Sequence, residues 1–204
     1  MMKLSLLSRR QAAASAVLAS LLLSGCGAAD PLAEKVNAGT NSYVAGDGSV
    51  AEYAADIRGE TVRFSGQLFD GTTLANDDWA GQVTVLNVWY AACAPCRVEA
   101  PDLSALHSEF EPQGVKFYGI NTRDEAPTAE AFERSFGIEY PSLKDKNGKI
   151  LLALTDYVPP QAVPTTLVLD KEGRVAARIL GIAEKSTLKA IIQDALTAPD
   201  PEKP

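Results

Sequence analysis

A nearly unbroken apolar run, Val83-Thr84-Val85-Leu86-Asn87-Val88-Trp89-Tyr90, stands just ahead of Cys93-Ala94-Pro95-Cys96. Such a run reads as a central strand buried on both faces, which needs a layer of structure on each side. Proline fits the first turn of a helix, so a helix is expected to begin near Ala94 or Pro95. Leu103, Leu106 and Phe110 fall at i, i+3 and i+7 and give that helix a core-facing stripe, and Pro101 is expected to kink it.

The flanking sequence alternates strands and helices. Val62 to Leu68 alternates apolar and polar residues ahead of an Asp70-Gly71 turn, an early hairpin. Val115 to Asn121 reads as a strand, and Pro127 to Phe136 as a helix with Gly137 as its C-cap. A short strand over Tyr140 to Leu143 and a short helix over Lys149 to Asp156 follow. Thr165 to Leu169 and Val175 to Leu180 are apolar runs joined by the turn Asp170-Lys171-Glu172-Gly173. Leu188, Ile191, Ile192 and Ala195 mark a final amphipathic helix. The pattern is an α/β layer fold with a mixed sheet and no internal repeat.

The N-terminal residues read differently. Residues 1–25 carry Lys3, Arg9 and Arg10, no acid, and an apolar stretch from Ala12 to Leu23 that is too short to span a bilayer. This is the pattern of a secretory signal. Leu23-Ser24-Gly25-Cys26 resembles a bacterial lipobox, which implies cleavage before Cys26 and a lipid on its sulfur. An ordinary signal with an incidental cysteine is the alternative, and Arg9-Arg10 raises twin-arginine export. Residues 26–60 are rich in Gly, Ala, Asn, Ser and Asp and read as a flexible tether, with a short helix over Val50 to Ile57. The domain is expected over 61–198, with a disordered tail at 199–204. The 204 residues hold 19 Lys and Arg against 26 Asp and Glu, a net charge of −7. Loss of 1–25 removes three cations and no anion, taking −7 to −10. That balance argues against nonspecific nucleic-acid binding and leaves membrane attachment to acyl chains.

The chemistry lies in Cys93-Ala94-Pro95-Cys96. Two thiols two residues apart can close a disulfide where a loop turns into a helix. The first then sits at the positive end of the helix dipole, which favours the thiolate that attacks in exchange. Cys93 is the expected nucleophile. Cys96, one turn later and further inside, resolves the mixed disulfide, and Pro95 stiffens the loop. Half of a zinc site, an inert structural bridge and a copper site are the competing readings. Zinc needs about four ligands, and only Cys26 and His107 remain to supply them. A bridge closing so short a loop adds little entropic stability. One histidine, and no methionine beyond the signal, suits copper poorly. The redox reading fits a motif that follows a buried strand and opens a helix. Pro164, directly before the strand Thr165 to Leu169, is a position where a cis bond is possible.

The segments NVWYAACAPCRVEAPDL and VPTTLVLDKEGRV resemble the membrane-anchored, thioredoxin-like TlpA/ResA/DsbE thiol–disulfide oxidoreductases, over about 62–196. The resemblance implies a thioredoxin-like α/β fold: a mixed central sheet flanked by helices, an N-terminal β-hairpin and a central helix–strand insert near Asp124 to Gly148. It implies that Pro164 is a cis-proline facing the cysteine pair. Val163 would offer backbone groups to a partner's extended peptide. Glu99 would be an active-site carboxylate that disfavours thiolate or relays protons; a solvated first-turn acid is the alternative. Trp89 would pack beside the cysteines. Ala92 departs from the tryptophan of many relatives, and no cation stands between the sulfurs, which favours a reductant. His107 is expected to be a surface or core residue.

The expectation is therefore an extracytoplasmic, lipid-anchored thiol–disulfide oxidoreductase that uses Cys93 and Cys96 and needs no bound cofactor. Its substrate is a protein disulfide, with apocytochrome c implied by the resemblance alone, and a membrane thiol donor restores the dithiol. An oxidant of secreted proteins, a non-catalytic binding module and a peroxiredoxin are the rival readings.

Overall fold

A computed structural model describes residues 49–198. The expected signal, Cys26, the tether up to residue 48 and the tail at 199–204 lie outside the described residues. Among the described residues eight strands form: β1 Val50–Glu52, β2 Ser65–Gln67, β3 Thr73–Ala75, β4 Thr84–Trp89, β5 Lys116–Asn121, β6 Ser142–Lys144, β7 Thr165–Leu169 and β8 Val175–Leu180. Four α-helices accompany them: α1 Ala94–Phe110, α2 Ala126–Phe136, α3 Lys149–Ala153 and α4 Lys185–Thr197. The main sheet runs β1-β8-β7-β4-β5-β6, with β2 and β3 as a separate hairpin. β4 pairs parallel with β5 and antiparallel with β7, so the sheet is mixed. This is the expected thioredoxin-like arrangement, with the helix–strand insert formed by α2 and β6.

Alternation along β4 explains its apolar run. Val83 and Val85 join one core with Leu103, Leu106 and Phe110 of α1 and Leu188, Ile191 and Ile192 of α4. Leu86 and Val88 join the opposite core with Ile120, Leu143, Ile150 and Leu167. Each fully buried leucine here contributes about 1.5–3 kcal/mol, so both faces of the strand must be apolar. Pro95 occupies the first turn of α1, and Pro101 lies within a helix that continues through Phe110. Gly137 ends α2 at φ 64°, a left-handed conformation that glycine adopts without steric cost.

Two features differ from the sequence expectation. The helix expected over 50–57 is instead β1, paired antiparallel with β8, followed by a turn. The outer edge of β8 offers unpaired backbone groups, and a three-residue strand is too short to show a period of two. The sheet thus begins inside the segment read as tether. β1 starts beside the C-terminal end of β8, where the Leu180 amide donates to the Ser49 carbonyl at 2.7 Å. Residues 53–58 are then fastened to the β7–β8 turn. Arg58 donates to the Tyr53 carbonyl and to Asp170, each at 2.9 Å, and Arg174 donates to the same carboxylate.

Gly119 of β5 lies opposite Ser142 of β6. A Cβ there would collide with the Ser142 hydroxyl and come within 2.6 Å of the Trp89 Nε1. Gly119→Ala is expected to destabilise the domain by about 1–3 kcal/mol, seen as a lower urea midpoint with an unchanged slope.

Candidate active site

Chain direction places the cysteine pair. β4 ends at Trp89, and a turn closes where the Cys93 amide donates to the Tyr90 carbonyl at 3.1 Å. α1 then begins with Cys93 as its N-cap, whose Sγ accepts from the Cys96 amide at 3.2 Å. Cys93 and Cys96 are joined by a disulfide with their Cα atoms 5.2 Å apart. Both residues are only 2% exposed, yet Ala92, Ala94, Arg97 and Val98 around them are exposed. Burial therefore does not distinguish the two sulfurs; their place on α1 does, because only Cys93 caps the helix. The pair lies just below the surface, with Val163 packed against it.

The Val163–Pro164 peptide bond is cis. The Val163 carbonyl oxygen comes within 3.9 Å of the Cys93 Sγ, and the Gly181 amide donates to the Pro164 carbonyl at 2.9 Å. The segment separated from Cys93 by 70 residues in sequence is thus adjacent to it in space. Trp89 is buried in one cluster with both cysteines and Phe132. Its ring centre is 4.5 Å from that of Phe132, and its Nε1 donates to Ser142 at 3.3 Å.

Glu99 follows Cys96 by one helical turn and points into the sheet. It is 1% exposed, so it is not a solvated first-turn acid. One carboxylate oxygen accepts from Asn87 of β4 at 2.8 Å and the other from the Ala183 amide at 2.9 Å. Asn87 also donates to Thr166 at 3.1 Å. Burial pushes the Glu99 carboxyl up to about 7, against the opposing pull of the Ala183 and Asn87 hydrogen bonds. A carboxyl that titrates near neutrality within a turn of a dithiol is suited to holding and releasing a proton.

Several contributors were not singled out by motif. Ala91, in the turn before Cys93, has both its backbone groups held. Its amide donates to Asp124 at 2.6 Å, and its carbonyl accepts from Arg97 at 3.3 Å. Asp124 is itself oriented by Asn121, which donates to the same oxygen at 2.8 Å. Arg123 lies over the Tyr90 ring, 3.9 Å from its centre. Asn87 was detectable as the one amide in an apolar run; the Asp124 contact, across 33 residues, left no sequence signal. His107 is remote from this cluster, edge-on to Phe117 and Tyr140 at 5.5 Å from each. Among the described residues, no group of three or more His, Cys, Asp or Glu side chains could hold a metal ion.

Residues 57–178 match the AhpC/TSA family. ResA, a thiol–disulfide oxidoreductase of Geobacillus thermodenitrificans, is 32% identical over 112 residues, which is 55% of this chain and 62% of ResA. The chain thus spans about three-fifths of that relative's length. A secreted thiol–disulfide isomerase from Corynebacterium glutamicum has the same fold with a TM-score of 0.70 and 31% identity, over 78% of this chain and 99% of that structure. A DsbF homologue from Corynebacterium diphtheriae aligns at a TM-score of 0.64 and 31% identity, over 76% and 99%.

Proposed function

Because the chain belongs to the AhpC/TSA family and carries a disulfide capping a helix beside a cis-proline, we propose that it is a thiol–disulfide oxidoreductase of the ResA/DsbE type. The observation that carries this reading is the juxtaposition of the Cys93–Cys96 pair at the start of α1 with the Val163 carbonyl.

The reaction starts from the reduced dithiol. The Cys93 thiolate, favoured by the amides and dipole of α1, attacks one sulfur of a substrate disulfide. The substrate's S–S bond breaks, a mixed disulfide to Cys93 forms, and one substrate thiolate leaves and takes up a proton. The Cys96 thiolate then attacks Cys93 Sγ, forming the internal disulfide and releasing the second substrate thiol. Two electrons and two protons have passed to the substrate. Glu99 is the proposed acceptor of the Cys96 proton, Val163 the backbone against which the substrate peptide lies, and Trp89, Pro95 and Pro164 the frame that keeps the pair in place.

The direction proposed is reduction. Ala94 and Pro95 place no cation between the sulfurs, so the thiolate lacks the extra stabilisation that makes a disulfide strongly oxidising. Relatives described as secreted support an extracytoplasmic setting. The Leu23-Ser24-Gly25-Cys26 segment supports a lipid anchor, with re-reduction by a membrane thiol donor and apocytochrome c as one candidate substrate.

Insulin reduction with a thiol donor tests the activity, and an inert wild-type protein would indicate a non-catalytic module. A reduction potential below about −200 mV is expected; a value near −120 mV would make the protein an oxidant instead.

A further inference from the structure

Two guanidinium groups converge on the turn that leads into Cys93, and among the described residues neither is held in an ion pair. Arg97, in the first turn of α1, donates to the Ala91 carbonyl, and its cation lies 5.1 Å from the centre of the Phe136 ring and 5.9 Å from that of Phe132. Arg123, in the loop after β5, lies over Tyr90. Both side chains converge on residues 90–91, in the turn that presents Cys93. Both residues are exposed, and among the described residues neither stands in an ion pair. Of the nearby acids, Glu125 is paired with Lys146, and Asp124, which accepts from the Ala91 amide and Asn121, offsets one of the two positive charges and leaves the other uncompensated.

An aromatic face orients a guanidinium but leaves its charge and its remaining N–H donors available. We propose that Arg97 and Arg123 form a docking rim for an acidic polypeptide segment, so that protein disulfides flanked by Asp or Glu are the selected substrates. The proposal rests on the oxidoreductase reading and specifies its substrate class. A polypeptide suits the rim better than an anionic lipid surface. A short segment feels only charges within a Debye length of about 8–10 Å, whereas an extended surface meets the field of a chain with net charge −7.

The test uses three synthetic peptides with the same disulfide loop, flanked by Asp, Asn or Lys, and single-turnover oxidation of the reduced protein. The Asp peptide is expected to react about tenfold faster than the Asn peptide, with the Lys peptide slowest, and this advantage should shrink several-fold between about 20 and 300 mM salt. The Asp-to-Asn rate ratio should fall close to one in Arg97→Gln/Arg123→Gln. If that variant does not fold, Arg123→Gln alone should halve the ratio or more, since this exposed side chain rests on the half-buried Tyr90 ring and makes no ion pair among the described residues. Equal rates for the three peptides overturn the proposal, as does a ratio undiminished by Arg123→Gln. Tight binding to phosphatidylglycerol vesicles together with equal peptide rates overturns it in favour of lipid. Failure of the wild-type protein to reduce the uncharged probe hydroxyethyl disulfide overturns the oxidoreductase reading, and this one with it.

Discussion

Replacing Cys93 with serine lowers disulfide reduction to the uncatalysed background, whereas replacing Cys96 with serine stops the reaction halfway, with the substrate covalently attached. The two outcomes differ because the sulfurs occupy different places on one helix. Cys93 caps α1, where its Sγ already accepts the Cys96 amide, and a thiolate formed there keeps that hydrogen bond. A serine hydroxyl ionises far too weakly to attack a disulfide, so no mixed disulfide forms. Cys96 lies inside the first turn, bonded to Cys93. Its loss leaves attack intact and removes release. Non-reducing electrophoresis after mixing reduced Cys96→Ser with a disulfide peptide should show a stoichiometric adduct that dithiothreitol dissolves. An adduct forming equally on Cys93→Ser would reverse the assignment of roles.

The oxidised protein loses about 3 kcal/mol of stability between about pH 4.5 and 8 through Glu99 alone. The native carboxyl holds its proton up to about 7, while in the unfolded chain it ionises near 4.5. In that window the native state binds more protons than the unfolded state, so stability falls as pH rises. The contribution is complete below about 4.5 and gone once pH passes about 7. With 1% of the residue exposed, water screens little of this cost. Glu99→Gln stays neutral throughout, and its amide is accommodated if Asn87 turns its own amide over. Urea midpoints of the disulfide form at pH 5 and pH 8 should differ strongly in the wild type and little in the variant; equal slopes in both would exclude Glu99 as the source. The disulfide form is the right one to measure, because its cysteines do not titrate.

What sequence alone conveyed depended on whether a signal was local. Val83 to Tyr90, the Cys93–Cys96 spacing and the Asp70-Gly71 and Asp170–Gly173 turns each act within a few residues, and each appears where periodicity and turn chemistry put it. The roles of Pro164 and Glu99 came from resemblance, since no periodicity says what a residue 71 positions from Cys93 will face. β1 carries no strand signal in the sequence because its pairing partner lies more than 120 residues away and its three residues are too few to alternate visibly. The bond from the Ala183 amide to Glu99 and the hold of Asp124 on Ala91 escaped for a related reason. They join side chains to backbone amides across the fold, and any residue can supply such an amide.

The direction of β1 has a mechanical consequence. Ser49 lies across β8 from Thr165, the residue after the cis-proline, and two strand spacings amount to about 10 Å. The polypeptide therefore joins the sheet at the reactive end and not at the opposite one, where the β7–β8 turn lies. A pull on the N-terminal side swings the reactive end toward whatever is pulling, like a boat moored by the bow.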